Sequence, residues 1–282
     1  MKQIKYILII LIFNFPLVKS QCLDLMYGCD TVQTNNNLSN YTEYYKQKSF
    51  KDAYEPWKWL IENAPKRTKN LYLHGPKILK GLIESTNDEQ EKQKLIDFLI
   101  SVYDNRLKNY PGKEGYVLAL KGKDMYKYRS GTIEELNQCR SVLKNSFEID
   151  GLNSTATTIN YYFNVSLKLF QKQELNKQDL MTLFSDVSEV VDHREASISQ
   201  EIFGFNSDST RTLSSKEKKA LSKLEAELGR IEKAKINVNK NFEKIITSCE
   251  QLVALYEGFD RFGINQEWNK RKEKNDKTNT EF

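Results

Sequence analysis

Residues 44–65 read YYKQKSFKDAYEPWKWLIENAP, and this stretch decides the fold. An aromatic pair stands before a short polar turn at 48–49, and Pro65 stands where a helix normally ends. Between the turn and the proline, four apolar residues follow the i, i+4, i+7, i+8 spacing of one helix face: Ala53, Trp57, Leu60 and Ile61. The stretch therefore predicts two helices joined by a tight turn, with the second helix buried along this face.

The same helical pattern continues along most of the chain. Apolar residues recur at helical spacing, Gly and Pro are scarce, and no segment has a convincing strand pattern. We therefore predict an all-α fold, an array of antiparallel helix hairpins closed by a long C-terminal amphipathic helix. The predicted divisions are a signal peptide at 1–20, an irregular N-terminal segment at 21–37, a helical repeat domain at 38–203, a loop at 204–214, a long amphipathic helix and closing helix at 215–262, and a disordered polar tail at 263–282.

Local signals predict where several helices begin and end. In a capping box, a Ser or Thr and an acid three residues later each bond to the backbone of the other. Two pairs have this spacing: Ser49 with Asp52, and Thr132 with Glu135. Gly75-Pro76 lies inside a helix predicted at 70–84, where we expect it to bend or shorten that helix.

The segment from 215 to 247 differs from the rest of the chain. Its apolar residues recur every three, four or seven positions, close to a heptad pattern: Leu221, Leu224, Leu228, Ile231, Val238, Phe242 and Ile245. Such a stripe can form a coiled coil that makes a dimer or holds a partner. It can also pack on other helices of the same chain, and we favour this interpretation because one stripe needs only one partner.

The first twenty residues have the order of a secretory signal peptide. Two lysines precede an apolar run at 6–15, and Val18 and Ser20 stand three and one positions before the expected cleavage site. The apolar run is too short to span a bilayer, which needs about 20 residues. We therefore expect a soluble exported protein, cleaved before Gln21 rather than lipidated at Cys22.

Removal of the signal peptide would change both charge and redox environment. It takes away three lysines and no acid, so the net charge would fall from +5 to +2. A chain this close to neutrality gives no reason to expect nucleic-acid binding. Four cysteines would remain, and we expect two disulfides, with buried free thiols as the alternative. Pairing of the nearest cysteines would join Cys22 to Cys29 and leave Cys139 with Cys249.

The hairpin at 44–65 resembles the second half of a tetratricopeptide repeat (TPR), a helix–turn–helix unit of about 34 residues. In that repeat a small residue lets paired helices approach, an aromatic fills the space between neighbours, and proline ends the second helix. The matching residues here are Tyr44, Phe50, Ala53, Trp57, Leu60 and Pro65. A second, shorter match contains Cys139, Leu143 and Ser146. The first half of the repeat is less well matched, with Asn37 where Trp is usual.

Longer strings are similar to a family of exported TPR proteins of Bacteroidota. These strings lie at 52–60, 102–107, 241–244 and 248–252, and the likeness runs from about Tyr44 to Tyr256. The resemblance implies a TPR-like α-solenoid at 38–203. It also implies a protein of the bacterial envelope, in the periplasm and in some cases associated with the outer membrane. It implies no catalytic residue, cofactor or metal.

Aromatic side chains outside the predicted core are candidates for contact with a partner, because Tyr and Trp are favoured at binding hot spots. The candidates are Tyr41, Tyr45 and Trp59. Trp59 is two positions from Trp57, so on a helix the two indoles point in different directions. Trp59 can instead pack against the next hairpin, and we favour that interpretation over contact with a partner.

Three further motifs contain residue types that occur in catalytic or modified sites. Residues 192–195 read Asp-His-Arg-Glu, but consecutive helical positions cannot converge on one substrate. Thr31 and Ser209 lie in triplets that resemble the O-glycosylation signal of Bacteroidota, both in predicted loops. The sequence has no zinc-protease motif, no phosphate-binding glycine loop and no nucleophile elbow.

We therefore expect a non-enzymatic periplasmic scaffold that binds another envelope protein through its stacked hairpins. The alternative is a structural or oligomeric subunit of an outer-membrane-associated assembly, which would self-associate through helix 215–247. An enzyme would need a convergent set of acids, bases or metal ligands, and the sequence suggests none.

Overall fold

The computed structural model of the chain describes residues 25–207 and 212–245. Within these ranges the protein is all-helical, with nine α-helices, one short 3-10 turn and no strand. The α-helices are α1 (Thr31–Lys46), α2 (Phe50–Asn63), α3 (Asn70–Ser85), α4 (Glu89–Asn109), α5 (Glu114–Tyr128), α6 (Ile133–Asp150), α7 (Ala156–Gln171), α8 (Lys177–Asn206) and α9 (Ser215–Glu243). None of these helices is both long and apolar enough to cross a bilayer. The predicted signal peptide, the last part of the predicted closing helix and the predicted tail lie outside the described residues.

Helix α6 begins at the predicted capping box. The Thr132 hydroxyl accepts a hydrogen bond from the Glu135 N–H at 3.1 Å, and the Glu135 carboxylate accepts one from the Thr132 N–H at 3.0 Å. The box predicted at the start of α2 is incomplete. There the Ser49 hydroxyl donates to the Asp52 carboxylate at 2.5 Å and makes no bond to the helix backbone. One of the two predicted boxes is therefore confirmed.

Helix α1 begins earlier than the sequence suggested. The predicted irregular segment 21–37 overlaps α1, which starts at Thr31. The Asp30 carboxylate caps this start by accepting a hydrogen bond from the Gln33 N–H at 2.8 Å. Within 31–37 the one apolar residue is Val32, which is exposed, and the buried position is Thr34, so the buried face of this part of α1 gave no hydrophobic pattern.

Helix α3 continues through Gly75 and Pro76, where the sequence suggested a bend or an early end. A proline inside a helix removes one backbone hydrogen bond, but α3 is not shortened and continues as a helix to Ser85. The glycine has a packing role. A Cβ at this position would lie 2.2 Å from Cζ2 of Trp57, so only glycine leaves room for the indole.

The chain divides into two compact units between Ile78 and Leu79, inside α3. The first unit contains α1, α2 and the first half of α3. Trp57 joins α2 to α3, because its indole Nε1 donates to the Leu71 carbonyl at 2.8 Å while its ring lies against Gly75. Eight apolar and aromatic core residues of this unit are at most 1% exposed, and Ile61 is 7% exposed; the eight are Tyr41, Ala53, Trp57, Leu60, Ala64, Leu71, Tyr72 and Ile78.

In the second unit, α5 and α6 pack antiparallel at close range. A Cβ built on Gly122 would lie 2.4 Å from Cγ of Leu143, so the side chain of one helix contacts the bare backbone of the other. The Cys139 thiol donates to the Gly122 carbonyl at 3.3 Å, and the Ser146 hydroxyl donates to the Gly115 carbonyl at 2.7 Å. These contacts repeat, three helices further along the chain, the close approach of α2 and α3 at Gly75.

Helix α9 packs on α7 and α8. The Phe242 ring stacks on Phe184 of α8 with centroids 3.6 Å apart, and it meets Phe163 of α7 at 6.4 Å in an edge-on arrangement. The heptad-like stripe is therefore used within the chain. Three of its residues are buried, Ile231, Val238 and Phe242, and three are partly buried against the same core, Leu224, Leu228 and Ile245.

Four asparagine side chains form a polar cluster between α7 and α9. Asn241 donates to Asn164 at 3.1 Å, and Asn237 donates to Asn160. Within each helix the two asparagines are also bonded, at 3.4 Å on α7 and 3.3 Å on α9. A shift of α9 by one turn along α7 would break these pairs, so the cluster specifies the register of the two helices.

A buried carboxylate joins three helices of the second unit. Asp124 of α5 is 1% exposed; Lys80 Nζ of α3 lies 2.7 Å from it, and the Tyr103 hydroxyl of α4 donates to it at 2.5 Å. Burial, followed by the negative charge of Asp124, raises the pKa of Tyr103 far above its ordinary value. The phenol therefore remains a hydrogen-bond donor at any physiological pH.

Replacing Gly122 with Ala should destabilise the protein, because the new methyl group would overlap Leu143. Overpacking of this kind costs about 1–3 kcal/mol, which should lower the midpoint of urea unfolding measured by far-UV circular dichroism. Gly229→Ala on α9 is the matched control, since nothing lies within 4 Å of a Cβ built there. That change should stabilise by about 0.5–1 kcal/mol. Equal midpoints for the two variants would contradict the close α5–α6 packing.

Candidate binding groove

A tight turn brings α1 and α2 side by side. Lys48 has a φ of 60°, and two hydrogen bonds close the turn: Lys48 N–H to the Tyr45 carbonyl at 3.0 Å, and Ser49 N–H to the Tyr44 carbonyl at 2.9 Å. This is the Schellman arrangement, in which a left-handed residue ends a helix. The next helix then runs back antiparallel, and one side of the hairpin is left with a groove between the two helices.

The groove has a volume of about 420 Å³ and lies wholly on the first unit. Its lining residues are Gln33, Asn37, Asn40, Tyr44, Asp52, Glu55, Pro56, Lys58, Trp59 and Glu62. They include two aromatic rings, three side-chain amides and three carboxylates, with a single cationic group. The groove is therefore amphipathic and acidic.

The lining residues form one stripe on each helix. The α1 stripe follows the i, i+4, i+7, i+11 spacing of a single face: Gln33, Asn37, Asn40 and Tyr44. The α2 stripe has a similar spacing: Asp52, Glu55, Trp59 and Glu62. At a rise of 1.5 Å per residue, each stripe is about 15 Å long. The groove is thus an elongated channel with two chemically distinct walls.

The polar groups of both walls are largely unused by the protein itself. In the described part of the chain, the amides of Gln33, Asn37 and Asn40 make no hydrogen bond, and Glu55 and Glu62 make no ion pair. An amide side chain can both donate and accept, and an ionised carboxylate accepts at two oxygens. These groups can therefore be offered to a ligand without breaking any internal contact.

The two tryptophans of α2 have different environments. Trp57 is completely buried, whereas Trp59 is only partly buried and lines the groove. Since helical positions two apart point in nearly opposite directions, anchoring Trp57 in the core turns Trp59 toward the groove. Trp59 is therefore the candidate contact residue from the sequence that the structure brings to this surface.

The tyrosines of α1 are arranged differently from expectation. Tyr41, a predicted contact residue, is 1% exposed and belongs to the core. Tyr44, a predicted core residue of the repeat, is 37% exposed and lines the groove. Tyr41 shares the buried face with Thr34, seven residues before it, and this fixes Tyr44 on another face. The sequence pattern of the repeat placed these two residues the wrong way round.

Tyr45, the third predicted contact residue, is partly buried by His74. Their rings stack with centroids 3.8 Å apart and planes inclined by 12°. Burial, and to a lesser degree the positive charge of Lys77, lower the pKa of His74. Its imidazole is therefore neutral at pH 7 and serves as a packing group.

Among the remaining predicted repeat-core residues, Ala53 and Leu60 are fully buried, while Phe50 and Pro65 are partly buried.

The cysteine pairings proposed from the sequence involve residues outside the described ranges. Cys29 is exposed and Cys139 is buried, and the two are not bonded to each other; Cys22 and Cys249 are not described. Burial raises the pKa of the Cys139 thiol to about 12, so it is protonated and unreactive at neutral pH.

Two of the other motifs singled out in the sequence occupy helices. Thr31 is exposed but lies in the first turn of α1 rather than in a loop, and Ser209 is outside the described residues. In the run 192–195, Asp192 and Glu195 both reach Lys235 of α9, at 3.1 and 2.7 Å. That run therefore holds two helices together. The described residues contain no group of three or more side chains suited to bind a metal.

Truncation of the two tryptophans of α2 should lower the free energy of unfolding by very different amounts. Trp57→Ala removes a fully buried indole and its bond to Leu71, and we expect a loss of about 3–5 kcal/mol in the free energy of unfolding. Trp59→Ala removes a ring from an open groove and should cost less than about 1 kcal/mol. Urea titration of both variants, followed by circular dichroism, checks the difference. A comparable loss for Trp59→Ala would mean that this indole is a core residue.

The stability of the first unit should decrease in mild acid because of His74. Its pKa is lower in the folded chain than the ordinary value of 6.5, so below that pH the unfolded chain takes up a proton first. The stabilising contribution is complete above about pH 6.5 and is lost as the pH falls toward the folded-state pKa. His74→Phe keeps a ring beside Tyr45 and should remove this part of the pH dependence. Thermal unfolding of both proteins across this pH range provides the comparison; parallel curves would refute the assignment.

The chain matches no protein-family model, no curated protein and no solved structure. A fold alone does not identify a function, since one architecture serves many. The chemistry of the groove on the first hairpin is therefore the starting point for a functional assignment.

Proposed function

We propose that this protein is a non-enzymatic scaffold of the bacterial periplasm that binds another envelope protein, and that the groove between α1 and α2 is a contact surface. The observation that carries this proposal is the groove itself, with Trp59 and Tyr44 accessible and with its three amides and two of its three acids, Glu55 and Glu62, unpaired within the described chain. Tyr and Trp are enriched among hot-spot residues, the residues whose truncation weakens protein complexes most.

We further propose that the hairpins belong to a TPR-like α-solenoid, as the resemblance to exported TPR proteins of Bacteroidota suggests. Two features support this proposal. Ala53, Trp57 and Leu60 are buried, as the repeat pattern requires, and the second match also supplies buried residues, Cys139, Leu143 and Ser146. A single helix pair of such a repeat cannot bury its apolar face alone, so the pairs stack on one another. The stacked pairs present extended surfaces, and these surfaces are what repeat proteins use to bind partners.

Two charged groups away from the groove connect helices. Asp124 is buried against Lys80 and Tyr103, and Lys235 bridges two acids of α8. These groups are already paired within the protein, whereas Glu55 and Glu62 of the groove are available to a partner.

The alternative, self-association through 215–247, has less support. Six residues of the heptad-like stripe pack on the core formed with α7 and α8. A dimer using the same stripe would have to release that packing first. The exposed apolar residue of α9 is Ile236, at 66% exposure, and it does not belong to the stripe.

Site-specific photocrosslinking tests the proposed contact surface. A photoreactive amino acid at Asn40, which lines the groove, should capture a defined envelope protein in the native periplasm. The same group at Lys233, an exposed position on α9, is the control and should not capture it. Trp59→Ala in the Asn40 protein should abolish capture, because it removes the aromatic contact.

Identical products from both positions, or capture that survives Trp59→Ala, would overturn the proposal. Crosslinks only to a second copy of this chain would favour the oligomeric alternative.

A further inference from the structure

The groove has the length of a short extended peptide. Each wall is about 15 Å long, and an extended chain advances about 3.3 Å per residue, so four or five residues fill it. A helix of the same residue number would be less than half as long and about 10 Å wide with its side chains. An extended segment therefore fits the elongated channel better than a helical one.

The α1 wall suits a peptide backbone. Gln33 and Asn37 are one helical turn apart, a rise of about 6 Å, which is close to the two-residue repeat of about 6.6 Å in an extended chain. Each amide offers one acceptor and two donors, and a peptide unit needs one of each. Because these amides have no internal partner in the described chain, they are available to pair with alternate peptide groups.

The α2 wall suits a cationic side chain. Glu55, Trp59 and Glu62 follow one another at i, i+4 and i+7, so the indole has an unpaired carboxylate one turn away on either side. A guanidinium can lie over an indole face and also form two parallel hydrogen bonds to a carboxylate. An ammonium cannot form the second of these contacts. This wall therefore discriminates arginine from lysine.

We propose that the α1–α2 groove binds an extended peptide segment that carries an arginine, with its backbone on the α1 amides and its guanidinium between Trp59 and the carboxylates of Glu55 and Glu62. The inference rests on the proposed function and specifies the chemistry of the partner. Charge complementarity favours this occupant, because the lining holds three acids and one lysine. A neutral sugar would use the same rings and amides but would gain nothing from the acids.

Fluorescence anisotropy with labelled pentapeptides tests the proposal on the full exported chain. The probes are Gly-Ala-Arg-Ala-Gly and its Lys and Gln counterparts. We expect the Arg peptide to bind about tenfold more tightly than the Gln peptide, and more tightly than the Lys peptide. Affinity for the Arg peptide should fall as salt is raised, because the contact is ionic and partly exposed.

Two matched variants separate the groove from general surface charge. Glu55→Gln with Glu62→Gln should weaken binding of the Arg peptide about tenfold. Glu225→Gln with Glu232→Gln removes the same charge from exposed, unpaired positions of α9 and should leave binding unchanged. Trp59→Ala should weaken binding as much as the groove double variant does. Equal affinity for the Arg and Gln peptides, or equal effects of the two double variants, would overturn the proposal.

Failure of the arginine specificity can be distinguished from failure of the proposed protein-binding function. If the Asn40 crosslinker captures an envelope protein but the Arg peptide binds no better than the Gln peptide, the scaffold role stands and the arginine specificity is wrong. If maltotriose or chitotriose binds in a Trp59-dependent manner while no peptide does, both the arginine specificity and the protein-binding role are overturned.

Discussion

The packing of the helices depends on close contacts at glycine residues, where one helix of a pair has no side chain. In the first unit the indole of Trp57 occupies the space over Gly75 and bonds to the Leu71 carbonyl. In the second unit Leu143 lies on Gly122 in the same way. A methyl group at either glycine would push the helices apart. The groove between α1 and α2 depends on this constraint as well, because burial of Trp57 fixes the rotation of α2 and with it the direction of Trp59.

Much of the helical organisation could be predicted from the sequence, because it rests on local rules. Helical spacing of apolar residues gave the buried face of α2, and the capping box at Thr132 gave the start of α6. The opposite environments of Trp57 and Trp59 follow from helix geometry once a helix is assumed. Even the internal packing of α9 could be favoured in advance, since one apolar stripe needs only one partner. All these inferences use residues close together in the chain.

What could not be predicted depends on contacts between distant residues. A later start of α1 is predicted from the sequence because the first residues of the helix are mostly polar and rich in asparagine, and nothing local reveals that Thr34 is enclosed. The burial of Tyr41 and the exposure of Tyr44 could not be predicted for the same reason. Several tyrosines of α1 are candidates for the buried face, and only contacts with distant residues decide which of them is buried. The presence of Gly75 inside α3 is explained by the indole of Trp57, a residue 18 positions earlier in the chain. The groove was missed because amides and acids spaced along two exposed faces look like ordinary solvated surface.

The asparagine cluster between α7 and α9 constrains how this sequence can change over evolutionary time. Each of its four amides bonds to at least two of the others, so replacing one leaves partners unsatisfied in a partly buried place. Apolar substitution of all four positions together would restore a satisfied interface, whereas any single step passes through a less stable intermediate. We therefore expect the four positions to covary, so that residues 160 and 164 change together with residues 237 and 241, much later in the chain.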